Sequence, residues 1–452
     1  MKIIVNGCGK IGTTVLESLV SEGHDVTAID TNPEVIQKLT NIYDVFGVCG
    51  NGADSDVLTE ANVGNNDLII STAASDEINM LCCFLAKRLG VKNTVARVRN
   101  SEYNDKSLSL LRQQLEISLI INPELMAAHE LFNNLKLPFA YKIEPFSVSN
   151  FEIVELKLRE NSMLDGLKIA DLRNKFKAKF LVCAVRRGEE AYIPHGDFVL
   201  CSGDKIGLTG SVNEIIKFFS ELGIKRTAIK KVMILGGSKT AVYLAKKLCS
   251  IGNSVTIIEI DRQKCEQISA ELPKALIVNS DGSTQEILTE EGLESTDAFV
   301  ALTGLDELNI LVSSYASSKN VPKVICKINR QELVPLSEHW GLDSIVSPRK
   351  TITNKVVRYA RALENSKHSS DETLYKLMDD KVEALEFNVK GGLDFLNVPL
   401  KDLSLKENVL IAGIIRDRKT IIPSGEDMLI AGDNVVILAS NQRIRNLSDI
   451  VR

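Results

Sequence analysis

Short apolar runs recur along the chain, each followed by a longer stretch in which apolar residues fall every three to four positions. In the N-terminal third, the runs at 3–5, 26–29, 45–48, 68–71, 95–98 and 119–121 predict strands. The spacing between them predicts helices, among them 13–21 and 78–89, with Gly23 and Gly90 as C-terminal stops. Alternating β and α elements predict a doubly wound parallel sheet. From about Glu152 to Ser211 the pattern changes. "FEIVELKL", "FLVCAVRR", "AYIP" and "DKIGLTG" are β-rich and are broken by the turns "PHGD" and "SGD", which predicts a small α+β module.

The whole series then restarts. "KIIVNGCGKIG" at Lys2 aligns with "KVMILGGSKTA" at Lys231, an offset of 229, which sets Gly23 on Gly252, Val26 on Val255 and Asp30 on Glu259. "SDEINML" at Ser75 meets "LDELNIL" at Leu305 with one residue inserted, and "VARVRN" meets "VICKINR" in a register left open by one residue. "IPHGDFVLCSGDKIGL" at Ile193 returns as "IPSGEDMLIAGDNVVI" at Ile422, again by 229. The reading is a tandem duplication of a two-part unit, with subdomains at 1–140, 141–223, 229–367 and 368–452 and a short charged link, "ELGIKRTAIKK", at 221–231.

Composition narrows the class. A chain of 452 residues with 44% hydrophobic and 25% charged residues suits a soluble protein of several domains. A net charge of -5 argues against a nucleic-acid partner. No apolar run approaches the roughly 18 to 20 residues of a membrane helix, and Met1 leads straight into a strand pattern, so the expected compartment is the cytosol. Nine cysteines without a CxxC pair read as buried thiols. Cys82 and Cys83 are adjacent, so a helix would point them in different directions.

The candidate chemistry sits in the first turn. Gly7, Gly9 and Gly12 form GxGxxG between a predicted strand and helix, and Asp30 ends the next strand, where a ribose hydroxyl pair would be held. Gly7 permits the tight turn, Gly9 lets backbone approach a pyrophosphate, and Gly12 lets helix pack on strand. Asp30 favours NAD over NADP, whose 2′-phosphate would meet its charge. "GNGAD" at 50–54 can edge an adenosine or be a plain turn. Arg97 and Arg99 alternate on the fifth strand, so one can reach phosphates or both can make salt bridges. In the second half Gly236 is kept, but Ser238 and Ala241 replace the second and third glycines, which favours a structural copy although Glu259 still offers a ribose partner.

No catalytic constellation accompanies this turn. The histidines His24, His129, His195, His339 and His368 show no metal-ligand spacing and read as surface or capping residues. No GxSxG, HExxH or P-loop lysine motif occurs. Asp76, Glu77 and Lys10 are polar enough for an oxidoreductase but read more simply as surface or loop residues. Three functions stay open: a nucleotide sensor, an NAD-dependent oxidoreductase, and a scaffold with a fixed nucleotide.

"GCGKIG" with Asp30, "STAASDEINML" at 71–81, "VARVRN", the repeated "IP.G" and "GD" turns and the duplicated four-part layout together resemble the TrkA family, regulatory subunits of Trk-type potassium uptake systems. The resemblance implies two tandem Rossmann-like RCK (KTN) domains, each followed by a small RCK-C (TrkA-C) module. It implies NAD(H) at the first domain, with ATP/ADP as alternative ligands, and a site formed by Gly7, Cys8, Gly9, Lys10, Ile11, Gly12, Asp30, Asn51, Gly52, Thr72, Ala73 and Arg97. In the second half it implies Gly236, Gly237 and Glu259. It further implies a gating ring, a tetramer on the cytoplasmic face of the inner membrane, beneath a TrkH/TrkG-type potassium-translocating partner. "MAAHELFNNLKLP" at 126–138 resembles the family's helical connection, a dimer contact in that setting and otherwise an ordinary amphipathic helix. The small modules read as assembly elements.

Overall fold

The computed structural model describes residues 1–100, 105–137, 140–146, 151–160, 162–224, 228–342, 344–366, 372–417, 419–440, 442, 444 and 446–452. His368, Pro138 and part of the 221–231 link lie outside the described residues.

The N-terminal part runs β1 (Lys2–Asn6), α1 (Lys10–Ser21), β2 (Asp25–Asp30), α2 (Pro33–Ile42), β3 (Phe46–Cys49), α3 (Ser55–Glu60), β4 (Leu68–Ser71), α4 (Asp76–Arg88), β5 (Asn93–Arg97), α5 (Asp105–Gln114), β6 (Leu119–Ile121) and α6 (Pro123–Lys136). Its strands form one sheet in the order β3-β2-β1-β4-β5-β6. The pairings are parallel, Ile3 against Val26 and Leu68. The central β4 is buried at every position, whereas the edge strand β3 begins with exposed Phe46. Both helix starts extend further than the sequence predicts. Helix α1 begins three residues before Thr13 because close packing on the sheet outweighs the low propensity of Gly12. Helix α4 begins at Asp76, with Ser75 accepting the Ile78 N–H at 3.2 Å.

Next come β7 (Lys142–Pro145), β8 (Glu152–Lys157), α7 (Ile169–Lys175), β9 (Leu181–Arg187), β10 (Glu190–Tyr192), β11 (Lys205–Gly210) and α8 (Val212–Glu221), with sheet order β10-β9-β11-β8-β7. The short β7, ended by Pro145, is a strand that apolar patterning does not predict.

The second half repeats the plan: β12 (Lys231–Leu235), α9 (Lys239–Ser250), β13 (Ser254–Glu259), α10 (Arg262–Glu271), β14 (Leu276–Asn279), α11 (Gln285–Glu290), β15 (Ala298–Ala301), α12 (Asp306–Ser318), β16 (Lys323–Lys327), α13 (Val334–His339), β17 (Ile345–Val346) and α14 (Pro348–Ser366). The last module is β18 (Glu372–Leu377), β19 (Val382–Asn388), β20 (Val409–Arg416), β21 (Lys419–Ile421) and β22 (Asn434–Ser440). The sheet orders are β14-β13-β12-β15-β16-β17 and β18-β19-β22-β20-β21, the same as in the first half. Pairing fixes the open register. Leu68 faces Asn93 and Ala298 faces Lys323, so Arg97 corresponds to Lys327.

Packing groups these elements differently from the repeat. One compact unit is 1–129 with 346–360, and the other is 130–345 with 361–452. The second unit therefore holds the second α/β fold and both small modules. Within it the two antiparallel sheets share a core that includes Phe151, Ile153, Ala184, Tyr375, Ala412 and Val436. The Phe146 and Tyr375 rings lie 4.1 Å apart, and a Cβ on Gly413 would overlap the Phe151 ring. Lys205 donates from the first module to Glu338 of α13 at 2.7 Å and to Asp379 of the last module at 3.2 Å, which ties all three parts together.

Some sequence expectations are corrected. His24 is buried, its Nδ1 3.4 Å from the Met1 amine, not a surface histidine. Cys49 is exposed and Cys201 and Cys249 are half-buried, so the cysteines are not uniformly interior. Asp76 is also buried, because its carboxylate accepts the Arg99 and Asn100 N–H groups at 2.8 Å and clamps the end of β5. Cys82 and Cys83 do diverge, into separate apolar clusters on the two sides of α4.

Candidate functional site

The strand order of the first sheet reverses at β1 and β4, and the glycine turn leaves β1 at that switch point. Gly7 adopts φ +82°, and a Cβ there would overlap the Ala73 backbone. A Cβ on Gly12 would overlap the Gly7 carbonyl, which the Thr72 hydroxyl also contacts at 2.8 Å. Gly9 differs from both. It has an ordinary φ of -69°, and a Cβ there would enter open space. It is the N-cap of α1 yet supplies no side-chain acceptor, so the first-turn N–H groups stay directed outward with the positive end of the helix dipole.

Asp30 holds the turn from the next strand. One carboxylate oxygen accepts the Cys8 N–H at 2.7 Å and the other accepts the Asn32 N–H at 2.9 Å. A carboxylate has about four acceptor directions, so two remain for a pair of hydroxyls. The Cys8 thiol points inward, and burial with the nearby Asp30 charge pushes its pKa up to about 12. It is a packing residue. Lys10 is exposed and Ile11 half-buried at the start of α1.

The flanking loops complete the crevice. The Gly50 N–H bonds the Asp30 carbonyl at 2.9 Å, the Asn51 side chain accepts the Ala53 N–H at 3.0 Å, and Gly52 lies against the Asn6 side chain. On the other side, Arg97 Nη2 donates to the Ala73 carbonyl at 2.7 Å. Arg97 is buried, its Nε has no hydrogen-bond partner, and burial beside Arg99 lowers its pKa. Arg99 reaches the same loop, donating to the Ala74 carbonyl and pairing with Asp76 at 3.6 Å. Arg97 therefore braces the 72–74 loop, while Gly7, Gly9, Gly12, Asp30, Gly52, Thr72 and Ala73 come together.

The second fold repeats this scaffold with one decisive change. Glu259 accepts the Gly237 N–H at 2.7 Å and the Asp261 N–H at 2.9 Å, as Asp30 does in the first. Gly236 keeps a positive φ of +97°. At the helix start, however, Ser238 Oγ accepts the Ala241 N–H at 3.3 Å, so the chain satisfies its own donor there. A Cβ on Gly237 would overlap Ile268, which leaves no spare room behind this turn.

The repeated "GD" turns contain a pair that sequence inspection misses. Arg187 Nε and Nη2 grip the two oxygens of buried Asp204 at 2.8 Å each, and Arg416 grips Asp433 at 2.8 and 2.9 Å. The signal was present, since both Arg–Asp separations equal 17 residues. These pairs fasten each module's own sheet. Among the described residues no group of three or more His, Cys, Asp or Glu side chains could hold a metal ion, and no helix is long and apolar enough to cross a membrane.

Comparison with known proteins matches this layout. The family model described as TrkA-N domain matches residues 3–123 and 232–348, and the TrkA-C domain model matches 153–223 and 385–452. The chain is 30% identical to "Trk system potassium uptake protein TrkA homolog" of Archaeoglobus fulgidus, covering 100% of both chains. It is 29% identical to "Trk system potassium uptake protein TrkA" of Haemophilus influenzae, covering 98% of this chain and 96% of that one. Among solved structures, the GsuK RCK domain superimposes with a TM-score of 0.63 at 16% identity over 97% of this chain and 92% of that chain. The GsuK channel bound to NAD does so with a TM-score of 0.63 at 16% identity, over 97% and 77%. At such identity the likeness establishes the fold.

Proposed function

The chain belongs to the TrkA family, and from that premise we propose that it is a nucleotide-sensing regulator of potassium uptake, not an enzyme. The observation that carries this reading is the contrast between the helix starts: Gly9 leaves α1 uncapped, whereas Ser238 caps α9 from within. At the helix start the second fold thus satisfies from within one donor that the first leaves open to a phosphate.

In this reading the first fold takes NAD(H), with ATP or ADP as alternatives. The turn Gly7, Cys8, Gly9, Lys10, Ile11 and Gly12 faces the phosphates, and Asp30 holds the ribose. Asn51 and Gly52 edge the adenosine side, Thr72 and Ala73 form the opposite wall, and Arg97 braces that wall. Gly236, Gly237 and Glu259 form a structural copy. The functional division is 1–140, 141–223, 229–367 and 368–452. Relatives named for potassium uptake, and RCK neighbours named as bound to NAD, support the assignment. The subunit then works as a ring of four copies on the cytoplasmic face of the membrane, beneath a TrkH/TrkG-type potassium-translocating protein. A nucleotide biases the ring by binding one of its packings more tightly than another.

Calorimetric titration of the full chain with NADH, NAD, ATP and ADP, alongside Asp30→Ala and light scattering, tests this. Binding that Asp30→Ala weakens, with a ligand-dependent change in assembly size or shape and no turnover, is expected. No binding by any of the four to folded protein would overturn the assignment.

A further inference from the structure

Beneath the first crevice runs a chain of buried polar side chains that the second fold lacks. Asn6, Ser71 and Asn79 are 3%, 0% and 0% exposed. Asn6 Nδ2 donates to Ser71 Oγ at 2.9 Å, and that hydroxyl donates to Asn79 Oδ1 at 2.9 Å. Asn79 Nδ2 then donates to the carbonyls of Ala73 at 3.0 Å and Arg97 at 2.9 Å. At the other end the Gly52 backbone rests on the Asn6 amide, where a Cβ would overlap it. The chain therefore runs from the loop after β3 to the loop after β4, under the glycine turn between them.

The corresponding residues of the second fold are Leu235, Ala301 and Asn309. There Gly282 rests on the Leu235 side chain. Asn309 Nδ2 still donates to the Lys327 carbonyl at 3.0 Å, as Asn79 does to that of Arg97, but its Oδ1 turns to the Thr303 N–H at 3.0 Å and hydroxyl at 2.7 Å, and Leu235 and Ala301 offer it no side-chain partner on β12 or β15. The fold thus forms equally well over an apolar floor. Burying an amide and a hydroxyl at strand ends is unfavourable unless every bond is made, and a made network is stiff and specific. That stiffness is present only in the half whose helix start is open.

We propose that Asn6 and Ser71 are positioning residues of the first nucleotide site, which set the separation of the 50–54 and 72–75 loops and so the affinity for a ribose-diphosphate ligand. The inference rests on the nucleotide reading above.

The test compares the full chain with Asn6→Leu, Ser71→Ala, their double variant and Asp30→Ala. NADH and ADP affinities are measured by calorimetry, and exchange of backbone amides is followed with and without NADH. Each single variant is expected to bind about tenfold more weakly, the loss of roughly one buried hydrogen bond. The double variant should be no weaker than the singles, because one chain is broken either way. NADH should slow exchange in both loops of the unmodified chain, but in Asn6→Leu only around the glycine turn. A merely structural role would lower thermal stability and leave that pattern alone. Unchanged affinity in folded Asn6→Leu overturns the inference. Should that variant not fold, Ser71→Ala, which removes a single oxygen, decides it. Weakening by Asp30→Ala but by neither Asn6→Leu nor Ser71→Ala refutes the positioning role alone, whereas a wild-type chain that binds neither probe refutes the nucleotide reading as well.

Discussion

Gly9→Ser places in the first fold the residue that the second already carries at Ser238, and the structure gives opposite signs for its effects on stability and binding. The backbone at Gly9, φ -69° and ψ -165°, suits serine, and the new Cβ meets no atom of the protein. Its hydroxyl would accept the Gly12 N–H, as Ser238 Oγ accepts that of Ala241. Serine in place of glycine at an N-cap stabilises by a few tenths of a kcal/mol, so the thermal midpoint should rise by no more than about 1 °C. A bound phosphate, however, would lose a charge-assisted hydrogen bond of about 1.5–3 kcal/mol. NADH and ADP should therefore bind about 10- to 150-fold more weakly. Calorimetry and thermal melts on the same preparations read both effects. Wild-type affinity in the folded variant would refute the argument, since the uncapped helix start would then play no part in binding.

Three further outcomes are expected. Arg187→Ala and Arg416→Ala each leave a carboxylate buried to 1% exposure without its bidentate partner. With the arginines themselves partly solvated, each should cost about 2 kcal/mol in urea unfolding, and a cost below the error of the measurement would remove these pairs as fasteners. Burial raises the Glu155 carboxyl above the ordinary glutamate value, against the pull of Lys142 and the Met378 N–H. A raised acid favours folding most at low pH and loses that contribution as pH rises through its folded value. Glu155→Gln should therefore gain stability relative to wild type as pH rises above the ordinary glutamate value, and a constant difference would contradict the shift. Alkylation at about pH 8 should label Cys49 in the native protein, whereas Cys8 and Cys82, pushed up to about 12 by burial, should need denaturant. Mass spectrometry of the digested protein distinguishes the sites.

Local pattern settled much of this protein. The period of the apolar runs, the glycines at 7, 9 and 12 and the offset of 229 between Lys2 and Lys231 suffice for two doubly wound folds, each with a β-rich companion. They suffice because strand alternation, helix spacing and positive φ are imposed by the residues themselves. What distance along the chain concealed, packing decided. Asp76 reads as surface but is buried, because its partners are the N–H groups of Arg99 and Asn100 at the end of another strand. Arg97 reads as a phosphate ligand or a surface salt bridge, and the structure buries it with its guanidinium donating to the Ala73 carbonyl. The polar floor of Asn6 and Ser71 joins residues 65 apart. The repeat suggests two equal halves, but the second α/β fold groups with both modules, which share the Phe151 and Tyr375 core and are tied to that fold by Lys205 at Glu338. A sequence specifies each element's conformation through near neighbours, whereas burial and hydrogen-bond partners arise from surfaces that meet only after the chain has folded.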